Sequence, residues 1–196
     1  MDHEKRKIQV SFNSSVILGF TIACFIVMIL DIITKGRTTY ALFSVYRSSL
    51  LSPLTYVRFF GHVLGHAGWE HFFGNIMMIL VVGPLLEEKY GSLNILFVIL
   101  ATAFITGMIH FFFFPGVQLL GASGVVFAFI LLASMTSIQE GKIPLTFILV
   151  AVVYIGKQVY DGLFVQDNVA NLTHIIGGIV GSGLGFVMNK NKMSRY

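Results

Sequence analysis

The sequence predicts an all-α membrane protein built as one bundle of six transmembrane helices. Three observations carry this. Of 196 residues, 56% are hydrophobic and only 11% charged, whereas a soluble domain is about one quarter charged. A chain of this length could enclose one soluble core, but too few charges remain to coat it. The apolar residues also fall into six runs, judged against the roughly 20 residues that cross ~30 Å of hydrocarbon. Turn residues and charges gather between the runs.

The first helix is predicted over 15–33. Its run SSVILGFTIACFIVMILDII is longer than a signal-peptide core and no small-residue cleavage site follows, so it is expected to remain as a span. The single cysteine, Cys24, lies inside it and has no internal disulfide partner. A long first loop, 34–68, carries apolar stretches of its own, YALFSVY and LTYVRFF, and is expected to lie on or in the interface. The remaining helices are predicted over 69–87, 93–114, 123–137, 143–160 and 169–188. EKYGS, PGVQLLGA, IQEGK and DGLFVQDN connect them. Residues 1–14 then form a short N-terminal segment, 15–188 the helical domain and 189–196 a basic tail. No repeat supports an inverted-repeat transporter.

The net charge of +4 sits mostly in HEKRK and NKNKMSRY at the two ends. With no interleaved aromatics on a soluble face, these runs read as anchors to the anionic lipid bilayer and not as a nucleic-acid surface. Six spans put both termini on one side. That side would hold eight Lys or Arg against five on the other, which predicts cytoplasmic termini in a multi-pass protein of the cell membrane.

The fourth predicted helix is short. Its 15 residues cover roughly 22 Å at 1.5 Å each, less than the hydrocarbon core. If its far end reaches the cytoplasmic face, its start lies below the outer surface and the PGVQLLGA loop must dip to meet it. Backbone outside a helix is tolerated at that depth only when buried in protein or lining water. A cavity is therefore expected where Gly121-Ala122-Ser123-Gly124 begins the helix.

Other polar residues share this depth. His174 lies about five residues into the sixth helix, roughly 8 Å below the outer boundary. His71 and Asn75 lie near the outer start of the second and, four apart, share a face. The second, fourth and sixth helices run in the same direction, so all of these fall in one outer layer. Ionisable residues in a span are candidates for facing a cavity or a partner.

The combination suits acyl transfer. A serine hydroxyl needs a base to take its proton, and histidine has the right pKa range. Gly121 and Gly124 leave room beside Ser123, and a helix start offers free N–H groups to an oxyanion. His71 and Asn75 can add donors. Asp161 and Asp167 precede His174 in the outer loop but neither is fixed as a third member, so a Ser123–His174 dyad is the reading.

Each motif has a plainer meaning when taken alone. Gly-Ala-Ser-Gly is in most chains a packing turn, and Gly177, Gly181 and Gly185 form a small-residue stripe that packs helices. Here both meanings agree, because packing the sixth helix against the fourth brings His174 toward Ser123. His110 is expected to be an interfacial or cavity histidine. Asp31 and Glu70 are boundary residues, and the phenylalanines are lipid-facing bulk. His62 and His66 have helical spacing for a divalent ion, but Glu70-His71 lacks the second histidine of a zinc-peptidase motif, so neither metal nor other cofactor is expected.

Taken together, these residues resemble the rhomboid family of intramembrane serine proteases, over nearly all of the chain after the first helix. GASGVVFA is similar to the family's Gly-x-Ser-Gly motif, HIIGGIVG to its His-x-x-Gly-x-x-x-Gly, HFFGN to its His-x-x-x-Asn, and GPLLEEKYG to its Gly-x-x-x-Glu-x-x-x-Gly. The resemblance implies a rhomboid-like six-helix bundle with Ser123 as nucleophile and His174 as general base. It further implies His71, Asn75 and the Ser123 N–H as oxyanion donors, with Glu87 structural. Gly121, Gly124, Gly177 and Gly181 belong to the motifs. Two positions depart from the pattern: Val57-Arg58 stands where the first loop often has Trp-Arg, and Phe127 where a tyrosine often stacks on the histidine. Phenylalanine keeps the ring and loses the hydroxyl, so tuning and not loss of activity is expected.

The resemblance implies cleavage of single-pass transmembrane substrates near their outward end, at an active site open to the extracytoplasmic side, with small residues before the cut. Two alternatives are a rhomboid-like binder of transmembrane clients that cuts nothing, and a small histidine-lined transporter. Probe labelling of Ser123 separates the first from a protease, and substrate flux or metal dependence marks the second. The sequence sets no oligomeric state.

Overall fold

A computed structural model of the protein describes residues 12–135, 145–164 and 168–193. They form α1 (Ser15–Thr34), α2 (Arg37–Leu42), α3 (Pro53–Gly61), a 3-10 turn (His62–Leu64), α4 (Trp69–Tyr90), α5 (Ser92–Phe113), α6 (Ser123–Ser134), α7 (Leu145–Phe164) and α8 (Asn168–Met193). Among the described residues, β-pairing is limited to one antiparallel bridge, Val45 to Leu119. The helices α1, α4, α5 and the Leu172–Asn189 part of α8 are long and apolar enough to cross a membrane, and α6 is a shorter apolar helix. The architecture is the all-α membrane bundle that the hydropathy pattern predicts.

Several boundaries move, each for a local reason. The helix expected to stop at 87 continues to Tyr90, and Gly91, at φ +83°, alone separates α4 from α5. A residue without Cβ can reverse the chain in one step at that angle. The helix expected to end at 160 runs to Phe164, so Asp161 belongs to α7 and not to a loop; Asp167 lies outside the described residues. The last helix passes 188 and reaches Met193. Asn189 holds that extension, its amide donating to the Tyr90 hydroxyl at 2.8 Å and to the Gly185 carbonyl at 2.8 Å. The fourth span starts at Ser123 as expected and its helix ends at Ser134; residues 136–144, where its predicted end and the next predicted start fall, lie outside the description.

The phenylalanines are not uniformly lipid-facing. Phe59, Phe72, Phe111 and Phe129 are buried, and Phe59 meets Phe104 and Phe111 edge-on at 6.1 and 5.5 Å. Edge-to-face pairing lets rings fill a core at favourable quadrupole geometry. Phe73, Phe97 and Phe113 do point outward, with Met77, Val81 and Leu85, as a belt that only lipid would cover.

The helix α6 sits at the centre, packed against α4, α5, α7 and, most extensively, α8. Seven of its residues, from Gly124 to Leu132, are buried, which accounts for a segment apolar on all sides. The contact with α8 is backbone on backbone. A β-carbon at Gly177 would lie 2.9 Å from the Gly124 Cα and against its carbonyl oxygen, and one at Gly181 2.5 Å from the Ala128 Cα. Gly185 faces Leu132 in the same register. Three glycines four apart thus make the groove into which α6 fits.

At the other end of the bundle, Glu87 on α4 ties down the start of α1. Its carboxylate accepts from the backbone N–H of Val16 and Ile17 at 3.0 Å each, from Ser15 Oγ at 3.3 Å and from Ser92 Oγ at 2.6 Å. Two otherwise unpaired N–H groups of the first turn are satisfied, and the negative charge meets the positive end of the α1 dipole. Above it Ile17 packs into the space left by Gly83.

The first loop folds into α2, α3 and the 3-10 turn. Arg58 is its anchor: Nε donates to the Ala41 carbonyl at 2.9 Å and the guanidinium lies 4.4 Å from the Tyr46 ring centre, which stacks on Tyr40 at 4.9 Å. Val57 is exposed, and the ring partner of the Arg58 guanidinium is Tyr46. His62 and His66 do not share a helix, because the 3-10 turn ends at Leu64. His62 Nδ1 lies 3.3 Å from the Arg58 carbonyl and Nε2 3.3 Å from Thr106 Oγ1, while His66 Nδ1 lies 3.2 Å from the Leu64 carbonyl. Burial pushes both imidazoles down to about 4, with His71 adding to the effect on His66.

Three outcomes test this packing. Replacing Glu87 by Ala should cost about 3 kcal/mol, since several charge-assisted bonds go at once, or roughly 6–12 °C in detergent melting; Glu87→Gln should lose about half. Gly181→Val should overpack the α6–α8 groove at a cost of about 1–3 kcal/mol. Both histidines are neutral in the fold and titrate near their ordinary value when unfolded, so the unfolded chain binds more protons between pH 6.5 and 4. Their stabilisation is therefore complete above about pH 6.5 and is lost as pH falls through about 4. Melting temperature should drop across that window, and less steeply in His62→Gln.

Candidate active site

The loop before α6 is the first element of the site. Residues 114–122 connect α5 to α6; 115–118 are exposed, while Leu119, Gly121 and Ala122 are buried, and several of the loop's backbone groups find protein partners. Val45 and Leu119 exchange N–H to O bonds at 2.8 and 2.9 Å, and the Gly121 N–H donates to the His62 carbonyl at 2.9 Å. His110 Nε2 donates to the Val117 carbonyl at 2.9 Å, so His110 is a buried strut and not a free cavity histidine. Arg47 donates to the Phe111 carbonyl at 3.0 Å. Non-helical backbone at membrane depth requires this kind of satisfaction.

The chain then turns at Gly121, φ +118°. A Cβ there would be strained and would lie 2.6 Å from His71 Cε1 and Nε2; this is the one glycine of the motif whose absent side chain makes space for a ring. Helix α6 begins at Ser123 with no side-chain cap, and its first ladder bond in this turn runs from Val126 N to Ala122 O. The positive end of the helix therefore lies at Ser123.

A cavity of about 660 Å³ opens at this point. Ser123, Val126, Phe127 and Ile130 line it from α6, His71, Gly74, Asn75 and Met78 from α4, Thr173 and His174 from α8, and Val117, Gln118, Leu119 and Leu120 from the loop. At ~30 Å³ per molecule it has room for about twenty waters, or for a peptide segment with water beside it. The four polar residues singled out from sequence, Ser123, His174, His71 and Asn75, share this one cavity. Gly124 stands behind, where a Cβ would touch Thr106 and Thr173 at 3.5 Å.

The donors have defined states. The Ala67 N–H approaches His71 Nδ1 at 3.4 Å, which makes Nδ1 an acceptor and leaves the proton of the neutral ring on Nε2, the atom next to Gly121. Asn75 is buried, yet its Nδ2 has no hydrogen-bond partner and lies 3.7 Å from where a Gly121 Cβ would be. A buried amide normally finds a partner; this one is free to donate to a group that enters the cavity. His66 braces His71 edge-on at 5.1 Å.

On the opposite wall, the Phe127 ring lies 4.4 Å from the His174 ring, tilted by 43°. This is the ring contact that the motif resemblance implies, kept without the tyrosine hydroxyl. Sequence reasoning missed Thr173, Gln118 and Met78 as cavity walls. Thr173 adjoins His174 and was findable by adjacency, whereas Gln118 and Met78 carry no local signal. Among the described residues no group of three or more His, Cys, Asp or Glu could hold a metal ion.

Comparison with known proteins identifies the family. The model of the Rhomboid domain matches residues 53–191. The chain is 33% identical over 159 residues to Rhomboid-related protein 2 of Mus musculus, covering 71% of this chain and 53% of that protein. It is 27% identical over 143 residues to Rhomboid-related protein 1 of Caenorhabditis elegans, covering 68% and 40%. It is also 27% identical over 136 residues to Rhomboid protease GlpG of Haemophilus influenzae, covering 68% and 70%. The chain thus spans about half the length or less of the two rhomboid-related proteins. A multi-pass α-helical bundle whose residues 53–191 fit the Rhomboid domain over most of the chain belongs to the rhomboid family.

Proposed function

We propose that the protein is a serine endopeptidase that cleaves transmembrane segments of single-pass membrane proteins. One observation carries the reading: Ser123, His174, His71 and Asn75, from three helices, line a single cavity. Ser123 Oγ attacks the peptide carbonyl carbon as His174 takes its proton. The oxygen that gains charge is held by Asn75 Nδ2, the His71 Nε2–H and the Ser123 N–H, all donors fixed before the reaction. His174 then gives its proton to the departing amine. Water repeats the sequence on the acyl-serine and frees the acid. Phe127 limits the imidazole's rotation, so that it faces Ser123 in both half-reactions.

The bilayer accounts for the substrate class. A peptide bond inside a helix is protected by its own hydrogen bond, so the chain must unwind where it enters the cavity, and the hydrolytic water must come from an aqueous side. With both termini cytoplasmic, as the eight-to-five distribution of Lys and Arg favours, the cavity opens on the extracytoplasmic side. No metal or cofactor takes part in these steps.

Purified protein should cleave a generic single-pass substrate in detergent or liposomes, and Ser123→Ala and His174→Ala should each abolish cleavage while melting as the parent does. Asn75→Ala should lower kcat by about 10²–10³, the usual cost of one oxyanion donor, with KM little changed. A fluorophosphonate probe should label Ser123 only when His174 is present. Full cleavage by Ser123→Ala would remove the proposal; a folded parent that takes no probe and cuts nothing would indicate a binder of transmembrane clients.

A further inference from the structure

Among the described residues that line the main cavity none is Asp, Glu, Lys or Arg. A second, shallower cavity of about 490 Å³ adjoins it at the outer start of α4, lined by Ala67, Gly68, Trp69, Glu70 and His71. Ala67 and His71 belong to both linings, so the two cavities share a wall at these residues. Glu70 is exposed and, among the described residues, its carboxylate forms no hydrogen bond or ion pair. Among the described lining residues of both cavities it is the one formal charge.

We propose that this outer cavity is a substrate subsite that selects a cationic side chain, lysine or arginine, on the outward flank of the scissile bond. This rests on the protease reading for its catalytic consequence, but not for the binding itself. Glu70 is one residue above His71 on α4, about 1.5 Å nearer the outer end. Although consecutive helix residues point about 100° apart, Glu70 and His71 both line the outer cavity, so a substrate residue seated there beside a carbonyl held by His71 meets the Glu70 carboxylate. The carboxylate is exposed and has no competing cation among the described residues, so its field acts through solvent and over short range. Half-exposed Trp69 lines the same cavity and offers an indole face to the same cation. The position of Glu70 in the first turn of α4 also suits the helix dipole. That role predicts a stability effect and no substrate discrimination, so the two are separable.

The test is a charge swap. Single-pass substrates carrying Lys, Gln or Glu, scanned one residue at a time through the outward flank, are assayed with the parent, Glu70→Gln and Glu70→Lys. At one flank position the parent should prefer Lys over Glu by about three- to tenfold in kcat/KM, the scale of an exposed attraction replaced by a repulsion. The preference should shrink with added salt. Glu70→Gln should flatten the ratio and Glu70→Lys should invert it. The same substrates are titrated onto Ser123→Ala protein, whose binding preference should follow the same order. An unchanged Lys-to-Glu ratio in Glu70→Gln, in cleavage and in binding, overturns the subsite. If the parent cuts nothing but Ser123→Ala binding still discriminates through Glu70, the subsite stands and only the protease reading falls.

Discussion

The close approach of α6 and α8 is the contact from which the rest of the molecule follows. Between two helices in lipid there is little hydrophobic gain, so what holds them is packing and whatever the backbones offer one another. Gly177 and Gly181 leave no side chain between the helices, and Gly124 and Ala128 answer in register. Any larger residue would push the axes apart and carry His174 away from the α6 wall. The stripe sets the depth of α8 relative to α6, and through it the position of the His174 ring over Phe127.

A short α6 follows from a second constraint, the absence of water for unpaired backbone inside a bilayer. Starting a helix below the outer surface leaves a loop at depth, and that loop needs partners. The first loop supplies them. Val45 pairs with Leu119 and the His62 carbonyl takes the Gly121 N–H, while α5 adds His110. The folded structure of the first loop is thus a condition for the cavity to exist, and its own anchor, Arg58 on Tyr46, is part of the same support. The neutral state of buried His62 fits this role, since a charge there would face no counter-ion in the core.

What the fold leaves unsatisfied is as informative as what it pairs. The Asn75 amide is buried without a partner, as are His66 Nε2 and Thr102 Oγ1 nearby, but Asn75 is the one of these that lines the cavity, and the first N–H groups of α6 have no side-chain cap. His71 Nε2–H lies beside Gly121, and His71, Asn75 and Ser123 at the start of α6 line the same cavity. An unpaired buried donor costs stability in the resting fold, and the proposed reaction would recover that cost when an oxygen with developing charge is bound.

Much of this was legible in the sequence. Six apolar runs fixed the class and the helix order, because burying twenty apolar residues per span is an imperative that composition alone expresses. The i, i+4 pair His71 and Asn75, the glycines four apart and the short fourth run could be read because helical geometry converts spacing into direction. The sequence could not say how the first loop folds, that Phe59, Phe72, Phe111 and Phe129 turn inward, that His62 and His66 fall on different segments, or that Thr173, Gln118 and Met78 close the cavity. Those outcomes depend on contacts between residues far apart in the chain, where local periodicity carries no information and only the three-dimensional packing selects one arrangement.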